Sequence, residues 1–447
     1  MFSFQRFIYK SICPKFTITK SFHQSLGTFS SLKSPCLTRD FINDRLYNPK
    51  GGYFCKNDIQ IGELTDPIHF SELLGYEEYT KQLSEKYPKN AWLTPSELFR
   101  PWYGITIGNY IHQAFQEAIR RTPNLKTKPR VKIIEAGAGA GSAAEGILYF
   151  FQNFEQKYYV DIQYKIVEIS PQMCKRAKEK LEKNHKILLD KSQITFVNEN
   201  FISYHTPDNE LTFVLMCEVA DNMPHDRVYY SDERKEWFYE TWVEFEDQNG
   251  EVGLKEVKKP ISDSLIKEAV NLLNTLPEKD VIEENKDKNV FLEKLISWIY
   301  KTKDEKNIFL PTACLKMLKN INKIIPNHHL ILADFDMLKN SESAKQGINS
   351  PIVSKKLEKS SEKLDFESYL VKRGEADIFF PTNFRYLKHA YRKICGKKGD
   401  IYKTYEFMDL FAKTKWTETR SGYNPLKEDF LNTSIFTTSL DDIKYKE

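Results

Sequence analysis

Acidic residues are missing from the start of this chain. Its 447 residues carry 62 Asp and Glu against 66 Lys and Arg, yet Met1 to Arg39 holds six basic residues (Arg6, Lys10, Lys15, Lys20, Lys33, Arg39) and no acid. The remainder therefore balances 60 basic against 62 acidic residues, and the formal net charge of +4 belongs to the leading segment. A near-neutral body excludes a polybasic nucleic-acid binder on bulk charge. Apolar runs of about 18 residues are lacking too, so no transmembrane segment is predicted. The seven cysteines include no pair at C-x-x-C spacing and the nine histidines are scattered, which leaves no zinc or dithiol motif. No metal is expected, and dispersed thiols fit a reduced compartment. The one adjacent histidine pair, His328 and His329, opens a strand-like run in which neighbours face opposite ways. Core-forming material is plentiful: 40% hydrophobic and 13% aromatic residues exclude global disorder. The length argues for two or three units or one large decorated domain.

The acid-free leader is rich in Ser and Thr, with Phe4, Phe7, Ile8 and Ile12 at helical spacing, the composition of a mitochondrial transit peptide. Arg6, Lys10, Lys15 and Lys20 interrupt every apolar run that a secretory signal would need. Residues 1–39 are read as this address, with the mitochondrial matrix as destination. Residues 40–125 read as a helical extension with a turn at "YNPKGGYF" (Tyr47–Phe54). Within "WLTPSELFRPWYG", Thr94 is the expected N-cap, Pro95 the first helical residue and Glu97 the partner that completes a capping box. After the polar linker "TPNLKTKPR", short apolar strands (131–136, 164–169, 194–198, 211–217 and 329–335) alternate with helical stretches (142–156 and 171–184). That alternation predicts a doubly wound parallel sheet, an α/β Rossmann-like core in two parts, 126–227 and 327–447. Residues 228–326 break the pattern. They are expected to form antiparallel strands turning at Asn249-Gly250 and then amphipathic helices from Ser262 to Asn322, an α+β insertion over one edge or the mouth of the sheet. Val353–Lys363 is expected to be an exposed loop.

The chemistry-bearing string is "KIIEAGAGAGS", with Glu135 at a strand end and Gly137, Gly139 and Gly141 in the turn that opens the next helix. Small residues there let a ligand lie against backbone N–H groups at the positive end of the helix. Dinucleotide enzymes use G-x-G-x-x-G, and Ser142 stands where the third glycine would fall. A carboxylate beside the turn repels a pyrophosphate but suits the sulfonium and ammonium of S-adenosyl-L-methionine. Glu168, ending the next strand, is placed to accept two ribose hydroxyls. Asn198 or Asn200 is placed to face the adenine amino group, with Phe201 packing its ring. The fourth strand ends in "MCEVADNMPHD", carrying Glu218 and Asp221 over the carboxyl edge where open α/β sheets bind ligands. Each feature alone has a plain structural explanation, a tight turn or a helix cap. Their conjunction at successive strand ends points to an S-adenosyl-L-methionine site.

These residues resemble the MidA family, whose mitochondrial members look like class I methyltransferases and include the protein-arginine methyltransferase that assists respiratory complex I assembly. "DRLYNPKGGYF" and "WLTPSELFRPWYG" are similar to its N-terminal signatures, "IIEAGAGAGSAAEGIL" to its glycine motif and "IVEISPQMCKRAKEKL" to its V-E-x-S-P motif. "CEVADNMPHDRV" resembles N-E-F-x-D-A-L-P, with Glu218, Asp221 and Pro224 matching. "ADFDML" stands where the family has I-D-Y-G, and "RGEADIFFPTNF" resembles G-x-x-D-I-T-x-x-V-D-F. Cys217 and Asp336 depart from the family's Asn and Gly, and the G-T-L-R segment is replaced by "GINSPIVSKK", a pattern closer to a divergent fungal-type branch. The resemblance implies methyl transfer by in-line attack, with a protein side chain, arginine favoured, as acceptor and a respiratory-complex subunit as a candidate partner. Glu218 and Asp221 would orient the cation, Asp334 standing in reserve. The competing reading is a catalytically attenuated scaffold that keeps the cofactor fold, motivated by Cys217, Asp336 and the insertion. An NAD-dependent oxidoreductase is disfavoured by Ser142 and Glu135.

Overall fold

Successive residues of the apolar strands bury on opposite sides, which is what a sheet covered on both faces requires. In the computed structural model, which describes residues 34–56, 61–88, 91–122, 125, 128–248, 251–277, 306–338, 346–357 and 362–445, Ile133, Phe213 and Leu215 enter one core. Their neighbours Ile134, Val214 and Met216 enter another. Each fully buried side chain of this size contributes about 1.5–3 kcal/mol over an exposed one.

Seven strands form the central sheet: β1 (Lys132–Ala136), β2 (Gln163–Val167), β3 (Ile194–Val197), β4 (Thr212–Cys217), β5 (His328–Phe335), β6 (Gly399–Lys403) and β7 (Thr433–Thr438). Their order is β3-β2-β1-β4-β5-β7-β6. The first five run parallel, and β7 runs antiparallel to both β5 and β6. Helices Trp102–Arg120, Ser142–Phe154 and Pro171–Asp190 cover one face, and Ser264–Asn274, Thr312–Ile324 and Phe384–Cys395 the other. The expected doubly wound α/β sheet is therefore present. Winding reverses between β1 and β4, so a crevice opens at their carboxyl ends. Helix Trp102–Arg120 rests backbone to backbone on the helix after the glycine turn, because a Cβ on Gly104 would lie 2.7 Å from the Gly146 Cα. The extension is thereby fused to the nucleotide-binding half. His328 and His329 do face opposite ways, toward the hydroxyls of Tyr391 (3.0 Å) and Tyr110 (2.8 Å).

Several boundaries differ from expectation. The folded body begins before Asp40: Cys36–Leu37 pairs with Trp242 and Val243, and the Arg39 guanidinium binds Asp226 (2.7 Å) and Asp263 (2.6 Å). Arg39 is thus a packed residue, while the other five leader cations lie outside the described residues. The insertion starts with Asp226–Ser231, continues with Glu236–Gln248 and Glu251–Pro260, and adds Asn307–Leu310, a four-residue strand with no alternation to announce it. Asn249 and Gly250 lie outside the described residues, as does most of the expected helical stretch between Asn274 and Asn307. Helix Thr312–Ile324 packs on the central sheet and so belongs to the core. Of Val353–Lys363, residues 358–361 lie outside the described residues and most of the rest is strand: Ile352–Lys356 lies between Lys363–Asp365 and Asp377–Phe379 in a small third sheet. There Ile352 and Val353 turn inward, a signal that the surrounding lysines obscured.

Candidate functional site

The turn after β1 passes through Gly137, Gly139 and Gly141 with φ of 67°, 53° and 81°, values that strain any L side chain. The three glycines serve different ends. A Cβ on Gly137 would lie 2.7 Å from Val219 Cγ2, and one on Gly141 3.0 Å from Ala177 Cβ, so both permit packing. At Gly139 the nearest atom is Ile61 Cδ1 at 3.8 Å, which leaves open floor. That floor adjoins a cleft bordered by Gly137, Glu168, Asn200 and Glu218 and roofed by Tyr47, Phe54 and Ile61 from the extension. The cleft encloses about 870 Å³ of empty space, the open solvent at its mouth included.

Glu168 is buried at the tip of β2. Its Oε2 accepts the Gly139 N–H (3.0 Å) and its Oε1 the Ser170 N–H (2.8 Å), which fixes the carboxylate while leaving lone pairs toward the cleft. Burial raises its pKa, and these N–H groups pull it back. Asn198 turns away and donates to the carbonyls of Glu168 (2.8 Å) and Ile169 (3.0 Å). Asn200 is the asparagine on the cleft, with its Oδ1 accepting the Ile202 N–H at 2.9 Å. Phe201 lines the same wall and stacks on Tyr204. Glu135 stands behind the turn, 2% exposed, accepting the Tyr164 hydroxyl at 2.7 Å. Burial pushes it up to about 7 despite that hydrogen bond. Glu168, Gly137 and Asn200 thus meet on one wall, Gly139 lies beside it, and Glu135 and Gly141 support it from behind.

Beyond β4 the cleft acquires a second character. Glu218 lines it from a backbone at φ 53°. Burial, then Asp221, holds its carboxyl well above the usual range. Asp221 is buried and pushed up to about 7, and its Oδ1 has no hydrogen-bond partner. Asp334, buried at the end of β5, accepts the N–H of Asp221 (3.0 Å) and of Phe335 (2.7 Å). Asp377 completes the group: its Oδ1 accepts from Asn222 Nδ2 at 2.8 Å, and burial followed by Asp221 raises it to about 8. Four carboxyls that disfavour one another's charge make a place where a cation is stabilised. Among the described residues no His, Cys, Asp and Glu group has the arrangement of a metal site.

Sequence reasoning missed three contributors. Asp377 sat in a quoted motif without a role. Tyr47 was read only as part of a turn, yet its hydroxyl donates to the Asn222 carbonyl at 3.0 Å and its ring stacks on Phe54. Glu97 was read as half of a capping box. Thr94 Oγ1 does accept the Glu97 N–H (3.3 Å), but the Glu97 carboxylate turns instead to the Leu64 N–H (2.8 Å), Lys180 Nζ (3.2 Å) and the Ser142 hydroxyl. This buried acid ties the roof, the helix of the glycine turn and helix Pro171–Asp190 together. Nothing in the spacing Thr94 to Glu97 distinguishes the two uses. Two of the departures from the family pattern fall outside the cleft: Cys217 packs on the core, and Asp336 binds Lys403 and Ser434.

Comparison with known proteins follows this geometry. Residues 106–403 match the family model described as "Putative S-adenosyl-L-methionine-dependent methyltransferase". A COG1565-superfamily protein from Burkholderia thailandensis with S-adenosylhomocysteine bound superposes with a TM-score of 0.58 at 14% identity, over 94% of this chain and 92% of that one. A native crystal structure from the same organism and superfamily gives 0.56 at 14% identity, over 94% and 91%. At such identity the likeness speaks for the fold. No curated protein matches the sequence.

Proposed function

The chain belongs to this family of S-adenosyl-L-methionine-dependent methyltransferases, and we propose that it methylates a cationic protein side chain, arginine before others, within mitochondria. The observation that carries the reading is the adjacency of two chemistries in one cleft: Glu168 pinned beside an open glycine floor, and an acidic group at Glu218 next to it. The residues fit the cofactor, since Gly139 leaves room and Glu168 is oriented by two N–H donors. Bound, the cofactor supplies an electrophilic methyl group on its sulfonium. Glu168 would hold the ribose hydroxyls, Asn200 and Phe201 the adenine edge and face, and Gly137 and Gly139 the backbone path, while Glu135 and Gly141 keep the turn in shape.

The rest is positioning and charge. A planar guanidinium presents paired N–H donors to carboxylates, and Glu218 borders the cleft with Asp221 buried behind it. Asp334 holds the Asp221 backbone and Asp377 holds Asn222, so the pair is placed by residues that need not touch the acceptor. A cation displaces the protons that burial keeps on these carboxyls, and Glu218 then stands to receive the proton that the attacking nitrogen loses. Because Cys217 and Asp336 lie outside the cleft, they give the scaffold reading little support. The leader supports a mitochondrial address, and a respiratory-complex subunit is the partner class this reading favours.

Transfer of labelled methyl from S-adenosyl-L-methionine to proteins of a mitochondrial extract tests the activity. The expected result is labelled arginine with wild type and none with Glu218→Ala, which still binds the cofactor. Full labelling by Glu218→Ala would overturn the site assignment. A reporter fused to residues 1–33 tests the address, and a cytosolic reporter would overturn it.

A further inference from the structure

Lys356 places its ammonium over two rings at once, 4.6 Å from the centroid of Trp92 and 4.9 Å from that of Tyr87. A single cation over an aromatic ring is common in folded chains, about one per 70–80 residues. The surroundings of this one are not. Trp92 pairs with Ile61, and its carbonyl accepts the Gly62 N–H at 2.8 Å, so the ring is carried on the segment that roofs the cleft. Its indole N–H donates to the Tyr53 hydroxyl at 3.0 Å, and Tyr53 meets the cleft residue Phe54 edge to face. Burial, with the Glu218 carboxyl contributing, pushes the Tyr87 hydroxyl up to about 12. Two rings fixed on the segment that roofs a cleft bordered by Glu218 make a receptor for a cation.

Resting on the reading of a cationic acceptor, we propose that the Tyr87–Trp92 ring pair beside Glu218 is the subsite for the acceptor's charged side chain, and that Lys356 fills it until the acceptor displaces it. Lys356 comes from the small third sheet, whose partner strand carries Asp377. Burial, then Lys363, lowers its pKa to about 8, so the charged ammonium is disfavoured where it stands. A guanidinium offers the rings a flat face and the carboxylates its N–H edge, a match that Lys356 makes only in part.

The probe is Nα-acetyl-arginine methylamide, titrated calorimetrically into the full chain, with the neutral acetyl-citrulline methylamide as control. Lys356→Gln is expected to bind the arginine probe about tenfold tighter than wild type, the gain vanishing in Lys356→Gln/Trp92→Ala and in Lys356→Gln/Tyr87→Leu, with citrulline bound by neither. Unchanged affinity in Lys356→Gln, a gain that survives both ring substitutions, or equal binding of citrulline would overturn the subsite. The cofactor's dissociation constant, read in the same samples, should stay within about threefold throughout. Wild type that fails to bind the cofactor would instead count against the methyltransferase reading.

Discussion

The glycine wall and the acidic wall of the cleft are neighbours in space but not in construction. Gly139 and Glu168, joined by one hydrogen bond, are 29 residues apart at the ends of adjacent strands. On the acidic side, Asp221 meets Asp334 across 113 residues and Asn222 meets Asp377 across 155. The first wall is held by backbone N–H groups and by glycines where a Cβ would collide, the second consists of buried carboxyls whose charge is disfavoured by burial. Local construction gives a rigid seat for a cofactor that is always the same.

Substitutions on the two walls should therefore fail in different ways. Gly137→Val combines about 1–2 kcal/mol of left-handed backbone strain with about 1–3 kcal/mol of overpacking against Val219. A loss of cofactor affinity of at least a hundredfold by calorimetry is expected, and near-normal binding would show that the turn is not the seat. Glu218→Gln should lower methyl transfer by about a hundredfold or more with cofactor affinity unchanged. A parallel loss of both would erase the distinction between the walls. Glu97→Ala removes one partner of a buried pair, a change that costs about 3–5 kcal/mol, and should lower the urea midpoint and loosen cofactor binding together. Glu97→Gln, which keeps its contact with the Leu64 N–H, should recover part of both.

The smallest effect separates the walls by pH. Asp221 and Asp377 have folded pKa values of about 7 and 8, above the unfolded carboxyl value of about 3.9. Their contribution is fully present below that unfolded value and is lost as pH rises toward 8. Stability should fall from pH 5 to pH 8, and Asp377→Asn should flatten the slope. A midpoint that climbs with pH would mean that these acids are ionised in the folded protein.

How far the sequence reached follows the same division. Strands β1 to β5 were legible because their side chains bury on both faces, which leaves unbroken apolar runs. The glycine turn, Glu168 and the two acids after β4 were legible because strand ends in such sheets converge on one edge. Strands β6 and β7 passed unnoticed in a tail of mixed residues such as "GDIYK". Glu97 kept the spacing of a capping box while doing something else. Those outcomes depend on which segments meet, and no local pattern records that.

The sequence by itself determined the doubly wound core, the phosphate-free cofactor class and the carboxylates at its rim, since each follows from periodicity or from chemistry within one turn. Only the tertiary structure decided that Glu135 stands behind the wall, that Arg39 belongs to the body, that Asp377 joins the acids and that Lys356 lies on Trp92 and Tyr87. The physical reason is burial. It shifts a carboxyl or an ammonium only once distant segments have closed over it, and that closure is a property of the packed chain.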